Sequence, residues 1–265
     1  MTETTTSAVA QAIAAARESR NGALVGYLPI GFPDLSTSID AAVALVEAGV
    51  DVLELGLPYS DPVMDGAVIQ AATQGALQNG FRVRDVFTAV REIRAQVSAP
   101  ALVMTYWNPV LQFGVDRFAD ELAAAGGAGL ITPDITPDSA AEWIATSDRV
   151  GLDRVFLAAP TSTDERVALA SRSSRGFVYA VSTMGVTSAR SSIDEAARVL
   201  AGRLRTAGAD SVCVGIGIST AEQVAEVLTY ADGAIVGSML VNALADGGVA
   251  GVRAAAESLS AGTRG

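Results

Sequence analysis

The chain has 265 residues, half of them hydrophobic, and a formal net charge of −11, so it can bury one large core. This acidic balance argues against nucleic acid or an anionic membrane surface as a partner. The sequence contains no histidine, and all 18 basic residues are arginine, which excludes an imine-forming lysine, an imidazole base and a histidine metal ligand.

Proton transfer in this chain must therefore rely on Asp, Glu, Tyr, water or the single cysteine, Cys213. One cysteine cannot form an internal disulfide, as is usual in a reducing cytoplasm, so we predict a buried thiol in a cytoplasmic protein. Residues 1–7 lack the basic and apolar blocks of a signal peptide, and no run approaches the roughly 20 apolar residues that a membrane helix needs.

Short apolar runs recur roughly every 30 residues, which is the length of one strand-and-helix unit. Their near-continuous apolar character is typical of parallel strands that are covered on both faces. We predict strands at 23–30, 51–58, 101–107, 129–133, 154–160, 177–182, 211–217 and 233–237. Amphipathic patterns predict helices that include 8–20, 36–48, 220–230 and 249–259, the first of which we expect to cover the bottom of a barrel.

Eight such units predict a single domain over residues 1–265, an α/β fold of the (β/α)8 TIM barrel type with an extra N-terminal helix. An open doubly wound sheet would carry Gly-x-Gly-x-x-Gly after its first strand, whereas residues 29–33 read Pro-Ile-Gly-Phe-Pro. We expect both ends, 1–7 and 261–265, to be frayed, with a loose tail from residue 260.

The second predicted strand carries a carboxyl group among leucines. Alternation along a strand places Leu53, Leu55 and Leu57 on one face, and Val52, Glu54 and Gly56 on the other. The leucines suit the helix layer, so Glu54 is expected to point into the mouth of the barrel. Burial there would raise its pKa toward the range of a general acid or base. The alternative is an ion pair between Glu54 and an arginine from another strand.

Two more carboxyl groups follow in the loop after that strand. Asp61 precedes a proline, so it is either a turn residue or part of the site. Asp65 precedes Gly66 and a helical pattern, and its alternative is a helix N-cap. Because two carboxyl groups in different environments can divide into an acid and a base, we predict that Glu54 and Asp65 work as a pair.

The last two predicted strands end in glycines, and each is followed directly by a helix. The seventh ends Gly-Ile-Gly-Ile-Ser at 215–219, and the eighth ends Val-Gly-Ser at 236–238. Glycine lets a phosphate approach backbone N–H groups, and helix N-termini favour anions. Since barrels commonly bind phosphate after strands 7 and 8, we predict a phosphate site there.

Aromatic residues cluster near the expected mouth, at Tyr27, Tyr106, Trp107, Phe177 and Tyr179. Such residues suit a flat apolar ligand, although some of them are expected to be plain core, and Trp107 could face a helix. The small polar loop at 183–188 is either a lid over this site or an ordinary turn.

Several motifs together resemble one enzyme family. Residues 54–62 read Glu-Leu-Gly-Leu-Pro-Tyr-Ser-Asp-Pro and are followed by Asp65 and Gly66, a highly specific segment. The resemblance extends over about residues 10–260 and is to the tryptophan synthase alpha subunit. It also includes Tyr106 with Asn108, Tyr179 with Ser182, Gly-Val-Thr at 185–187, and the glycines at 215–219 and 237.

This resemblance implies a lyase of tryptophan biosynthesis that cleaves indole-3-glycerol phosphate to indole and glyceraldehyde 3-phosphate by a retro-aldol reaction without imine or metal. Glu54 would take the glycerol hydroxyl proton and help protonate indole C3, and Asp65 would hold the indole N–H. The other implied roles are substrate contacts by Tyr27, Tyr106, Tyr179, Thr187 and Ile216, and phosphate binding near Ser188, Gly217, Gly237 and Ser238. Thr183, Ser188 and Ile216 differ from residues common in the family, and none of these differences touches Glu54 or Asp65.

The resemblance also implies a partner and excludes a cofactor in this chain. A beta subunit that holds pyridoxal phosphate would receive the indole in an alpha2-beta2 heterotetramer, and the loop around Asp61 with the 183–188 segment would contact it. Two alternatives remain at this point: another phosphate-binding barrel enzyme, such as a sugar-phosphate isomerase, and a non-catalytic barrel that activates a partner.

Overall fold

The fold is taken from a computed structural model that describes residues 7–181, 190–215 and 217–264, apart from the side chains of 190–194. The strands are β1 Ala23–Pro29, β2 Val52–Gly56, β3 Ala101–Met104, β4 Gly129–Ile131, β5 Asp153–Val155, β6 Leu157–Ala158, β7 Val178–Val181, β8 Val212–Gly215 and β9 Gly233–Val236. The helices are α1 Ala8–Ser19, α2 Leu35–Glu47, α3 Ala67–Gln78, α4 Asp85–Arg94, α5 Trp107–Phe113, α6 Val115–Ala124, α7 Ala141–Val150, α8 Asp164–Ser173, α9 Arg190–Thr206, α10 Ala221–Leu228 and α11 Ser238–Ser260. Short 3-10 turns lie at Pro137–Ser139 and Ala261–Thr263.

The strands form one parallel sheet that closes on itself. Their order is β5-β4-β3-β2-β1-β9-β8-β7-β6, so β5 and β6 lie at the two ends of the sheet. These two strands flank Phe156 in the chain, and together they form the single strand predicted at 154–160. The predicted eight-stranded (β/α)8 barrel is therefore confirmed, with one of its strands interrupted at a single residue.

Side-chain alternation sorts the strand residues into two cores. The inward-facing Val52 and Val25 belong to a barrel-interior cluster, whereas Leu53 and Leu55 pack in the larger cluster between the strands and the helices. This confirms the predicted directions along β2, and it leaves Glu54 on the inward face.

Helix α1 closes the bottom of the barrel, as predicted. Its buried residues Val9, Ile13 and Ala16 belong to the barrel-interior cluster, which removes their apolar surface from water. Carboxyl groups at the bottom of the barrel also bind this helix. The contacts are Ser7 to Asp153 (2.6 Å), Arg17 to Asp232 (2.7 Å) and Arg20 to Asp51.

The structure corrects three predictions about element ends. The third strand stops at Met104 rather than at 107, and α5 begins at Trp107, whose N–H donates to the Asp134 carboxylate at 2.9 Å. The expected loose tail is wrong for residues 260–264, because Thr263 is fully buried in a 3-10 turn. Ser7 is not frayed, since its hydroxyl accepts the Ala10 N–H as the N-cap of α1.

Helix α11 begins directly after β9, as predicted, and is interrupted at Gly248, which has φ of 59°. The predicted helix at 249–259 is the second half of this element. In the described ranges no helix is both long and apolar enough to span a bilayer.

Candidate active site

A cavity of about 570 Å³ opens at the carboxyl ends of the barrel strands, where barrel enzymes have their sites. Its wall contains seven of the site residues predicted from the sequence, together with apolar residues that were not predicted. These predicted residues are Tyr27, Glu54, Asp65, Tyr179, Gly217, Gly237 and Ser238.

Glu54 lies deep in this cavity on the inward face of β2, with 1% of its surface exposed. Its Oε2 atom is buried and accepts no hydrogen bond from the residues that the structure describes. None of the ion pairs among those residues includes Glu54, so they offer no support for the alternative of an arginine partner. Burial, assisted by the negative charge of Asp65, raises the pKa of Glu54 to about 8.

Asp65 stands at the rim of the same cavity, in the loop between β2 and α3, and is half-buried. Burial raises the pKa of its carboxyl to about 6, although a hydrogen bond from the side chain of Tyr106 opposes the shift. The N-cap of α3 is Gly66, without a side-chain hydrogen bond, so Asp65 is not that cap. The two carboxyl groups therefore share one cavity and have separated pKa values, which is the arrangement needed for an acid and an anionic stabiliser.

Two tyrosines reach into the cavity across glycines of neighbouring strands. A Cβ atom on Gly56 would lie 2.3 Å from the hydroxyl oxygen of Tyr27, and one on Gly215 would lie 2.6 Å from that of Tyr179. The missing side chains thus create the space in which the two phenol rings lie. Burial, followed by the nearby carboxyl groups, raises the pKa of both phenols well above the usual range, so they stay protonated donors.

Tyr106 contacts the loop that carries Asp65. It is 5% exposed and is not part of the described cavity wall. Its hydroxyl oxygen accepts the N–H of Met64, the residue before Asp65, at 2.8 Å. Direct contact between Tyr106 and substrate stays a prediction.

The opposite wall offers backbone groups suited to an anion. Gly237 is the N-cap of α11 and provides no side-chain cap, and Gly237 and Ser238 at the N-terminal end of that helix line the cavity. Gly217 has φ of 77°, a conformation that favours glycine, and open space lies where a Cβ would be. The two predicted glycine loops therefore line the same cavity, and phosphate binding at them stays a prediction.

Some predicted residues lie outside the described part of the chain. Thr187 and Ser188, with Ser182, Thr183 and the rest of the 183–188 loop, fall in the gap after residue 181, and Ile216 is the second gap. Their assignments to substrate, phosphate and lid therefore stay predictions.

Other predicted residues are placed away from the cavity wall. Asp61 is a turn residue whose carbonyl accepts the Val63 N–H and whose carboxylate accepts the Ser60 hydroxyl. Trp107 faces the helix layer, where its ring lies 6.4 Å from that of Trp143. Cys213 and Phe177 are fully buried in the barrel interior, as plain core.

Sequence reasoning missed most of the apolar wall. These residues lie at strand ends and in loops, where an apolar side chain looks like ordinary core. Only Val63 and Met64 belong to a segment that was predicted to contribute to the site, the loop that carries Asp65. The missed residues are Val63, Met64, Ile69, Met104, Pro133, Leu157, Ala159, Thr161, Val181 and Ile235. The wall they form suits a flat apolar group beside the two carboxyl groups.

Comparison with known proteins agrees with this geometry. The sequence profile of the family described as "Tryptophan synthase alpha chain" matches residues 13–262. The chain is 69% identical to the tryptophan synthase alpha chain of Leifsonia xyli over 98% of this chain and 100% of that one. It is 56% identical to the alpha chain of Mycobacterium avium, over 94% of this chain and 92% of that one.

A solved structure shows the same fold. A chain of Mycobacterium tuberculosis tryptophan synthase superposes with a TM-score of 0.92 at 51% identity, covering 98% of this chain and 99% of that one. Fold, profile and sequence identity over nearly the full length agree, and the chain belongs to the tryptophan synthase alpha chain family, lyases that cleave indole-3-glycerol phosphate to indole and glyceraldehyde 3-phosphate.

Proposed function

We propose that Glu54 and Asp65 carry out the acid–base and electrostatic work of this cleavage in the present chain. The observation that supports the proposal best is the pair itself: a buried Glu54 with a pKa near 8 and an Asp65 with a pKa near 6 face one cavity. At neutral pH the first is mainly a protonated acid, and the second is mainly a carboxylate.

These protonation states suit the first step of the reaction. Glu54 donates its proton to C3 of the indole ring, and positive charge develops at the ring nitrogen. The Asp65 carboxylate accepts a hydrogen bond from the ring N–H and stabilises that charge in a site of low dielectric constant. Glu54 is left as a carboxylate.

The second step uses the carboxylate that the first step produced. Glu54 accepts the proton of the glycerol-chain hydroxyl, the bond between the ring and that carbon breaks, and its electron pair returns to the ring. The products are indole and glyceraldehyde 3-phosphate, and Glu54 regains the proton that it gave. Because each proton leaves and returns to one carboxyl group, the cycle needs neither lysine nor histidine, and the chain has none.

The phosphate is proposed to bind at the wall formed by Gly217, Gly237 and Ser238. In a chain without lysine, backbone N–H groups and the N-terminal end of α11 are suitable donors for an anion. Ser188 is proposed to contribute to the same phosphate site. Tyr27 and Tyr179 would then lie between the phosphate and the carboxyl groups, along the substrate.

The chain works with a beta subunit, as members of this family do, and the pyridoxal phosphate of the assembly is proposed to belong to that partner. The loop after β2 is the proposed contact. It exposes Val63 (79%) and Met64 (42%), apolar side chains that would lose contact with water on docking. A cytoplasmic location stays a prediction.

Family membership supports the lyase reading over a sugar-phosphate isomerase or a non-catalytic barrel. The direct test is an assay of indole release from indole-3-glycerol phosphate by the purified chain, alone and with a beta subunit. We expect indole in both reactions and faster release with the partner. Absence of indole in both, with an isomerisable aminoribose phosphate turned over instead, would overturn the assignment.

A further inference from the structure

One side chain acts on the candidate site from outside the cavity. Tyr106 lies between β3 and α5, and its ring is buried against the barrel. Its hydroxyl oxygen accepts the N–H of Met64, the residue before Asp65, at 2.8 Å, and the same side chain lowers the pKa of the Asp65 carboxyl. A phenol has one proton to donate and lone pairs to accept, so a single group can serve two successive residues of the β2–α3 loop.

Most other described hydrogen bonds of this loop are local or join it to the helix that follows. The local ones run from Val63 N–H to the Asp61 carbonyl and from Asp65 N–H to the Pro62 carbonyl. The Gln70 side-chain amide on α3 donates to the carbonyls of Asp65 at 2.9 Å and Pro62 at 3.3 Å. Its apolar side chain at Val63 is exposed rather than packed. The bond to Tyr106 therefore connects the segment that carries Asp65 to a buried and rigid part of the structure.

Tyr106 is itself held in place by neighbours at the rim. The ring of Tyr59 packs against it with centroids 5.2 Å apart, and the Asn108 side-chain amide donates to the Tyr59 hydroxyl at 3.3 Å. An aromatic pair of this geometry restricts the position of both rings.

We propose that Tyr106 is a positioning residue, which holds the Asp65 carboxylate toward the cavity through its hydroxyl and does not touch the substrate. The inference rests on the proposed role of Asp65 and adds a residue that acts through it. It also replaces the implied substrate contact of Tyr106 with an indirect one. Removing the hydroxyl should leave the cavity wall intact while releasing the loop and one charge-assisted hydrogen bond.

The expected effect on Asp65 has a definite sign. The titratable groups that face Asp65 are Glu54 on β2, Tyr27 on β1, Tyr179 on β7 and Tyr106, with Asp134 beside the Tyr106 phenol. Only the hydrogen bond from Tyr106 is a cause that lowers the pKa of Asp65. Its loss should raise that pKa, so that the carboxylate form disappears at a higher pH.

The test is the pH dependence of kcat/KM for indole formation in Tyr106→Phe, which keeps the ring. We expect the acid limb to move to higher pH, with a loss of about 3- to 10-fold near pH 6 that shrinks toward pH 7.5, and an unchanged basic limb. Tyr230→Phe, which removes a phenol hydroxyl on the outer helix layer, is the control and should leave the acid limb in place. A uniform loss at all pH values, or a profile identical to that of the native chain, would overturn the proposal.

A second measurement separates this inference from the assignment of the reaction. The carboxyl carbon of Asp65, identified by its absence in Asp65→Asn, can be titrated by NMR in the native chain and in Tyr106→Phe. We expect a higher pKa in the variant, and equal values would refute the positioning role. A native chain that forms no indole would refute the proposed function instead, and the NMR comparison would still decide the role of Tyr106.

Discussion

The phenol of Tyr27 fills the space above Gly56, because a Cβ at position 56 would lie 2.3 Å from the hydroxyl oxygen and 2.7 Å from the ring carbon that carries it. The two residues are on the neighbouring strands β1 and β2, whose register pairs Tyr27 with Glu54. Gly56 is the next inward-facing position after Glu54 toward the mouth of the barrel. The glycine thus sets where the Tyr27 ring lies relative to the buried carboxyl group.

Gly56→Ala should therefore push the Tyr27 ring into the cavity. We expect kcat/KM for indole formation to fall roughly tenfold or more, since small displacements in a site are costly to catalysis. In a Tyr27→Leu background the same glycine change should cost much less, because the clashing ring is gone. Gly202→Ala is the control, as a Cβ there meets nothing within 4 Å. Equal losses from Gly56→Ala in both backgrounds would contradict this account.

The buried Glu54 should also cost the protein stability in a pH-dependent way. Its pKa is about 8 in the fold and ordinarily about 4.5, so the folded chain holds the proton more tightly and loses stability as pH rises from 4.5 through 8. A glutamine mimics the neutral acid. Glu54→Gln should match the native chain near pH 4.5 and exceed it by on the order of 3–5 kcal/mol above pH 8.

Urea unfolding at pH 5 and pH 9 measures this difference. The exposed Glu92 on α4 provides the comparison, and Glu92→Gln should stay within about 0.5 kcal/mol of the native chain at both pH values. A gain from Glu54→Gln that is the same at pH 5 and pH 9 would mean that the group is not neutralised by burial.

Gly217 provides a test of the phosphate wall. Its φ of 77° is unfavourable for alanine by about 1 kcal/mol, so Gly217→Ala should turn the local N–H groups away from a bound phosphate. We expect the Kd for glyceraldehyde 3-phosphate to rise about 3- to 10-fold in calorimetry. Gly208→Ala has a similar φ of 90° and equally open space, but it lies after α9 on the outside, so it should leave this Kd unchanged. An unchanged Kd in Gly217→Ala would remove this glycine from the phosphate site.

The fold and the direction of Glu54 could be predicted because they depend on local pattern. Alternation over residues 51–58 separates a leucine face from an inward face, and repeated strand-and-helix units close into a barrel by general rules. The hydrogen bond from the Met64 N–H to the Tyr106 hydroxyl joins residues 42 apart in the chain. It depends on the path of a loop, which no local pattern specifies. Burial of Thr263 was missed for a related reason, since small and polar residues look like a tail until a neighbouring helix covers them.

The cavity wall shows the same division. Glycines at 215, 217 and 237 indicated the site because glycine is informative at a strand end. Leu157 and Met104 did not, because apolar residues at such positions are equally typical of the core. The interruption of the fifth predicted strand at Phe156 could not be predicted, because the apolar run continues through this residue.

The proton-transfer role of Glu54 is tested most directly by single-turnover indole formation in Glu54→Gln, with glyceraldehyde 3-phosphate binding measured on the same sample. We predict that indole formation falls by at least about 100-fold while the Kd for the phosphate ligand stays within about twofold, because glutamine keeps the shape and removes the exchangeable proton. Glu54→Asp, which keeps the carboxyl group at a shorter reach, should retain more activity than the glutamine variant. Indole formation by Glu54→Gln at a rate near that of the native chain would show that another group carries the proton.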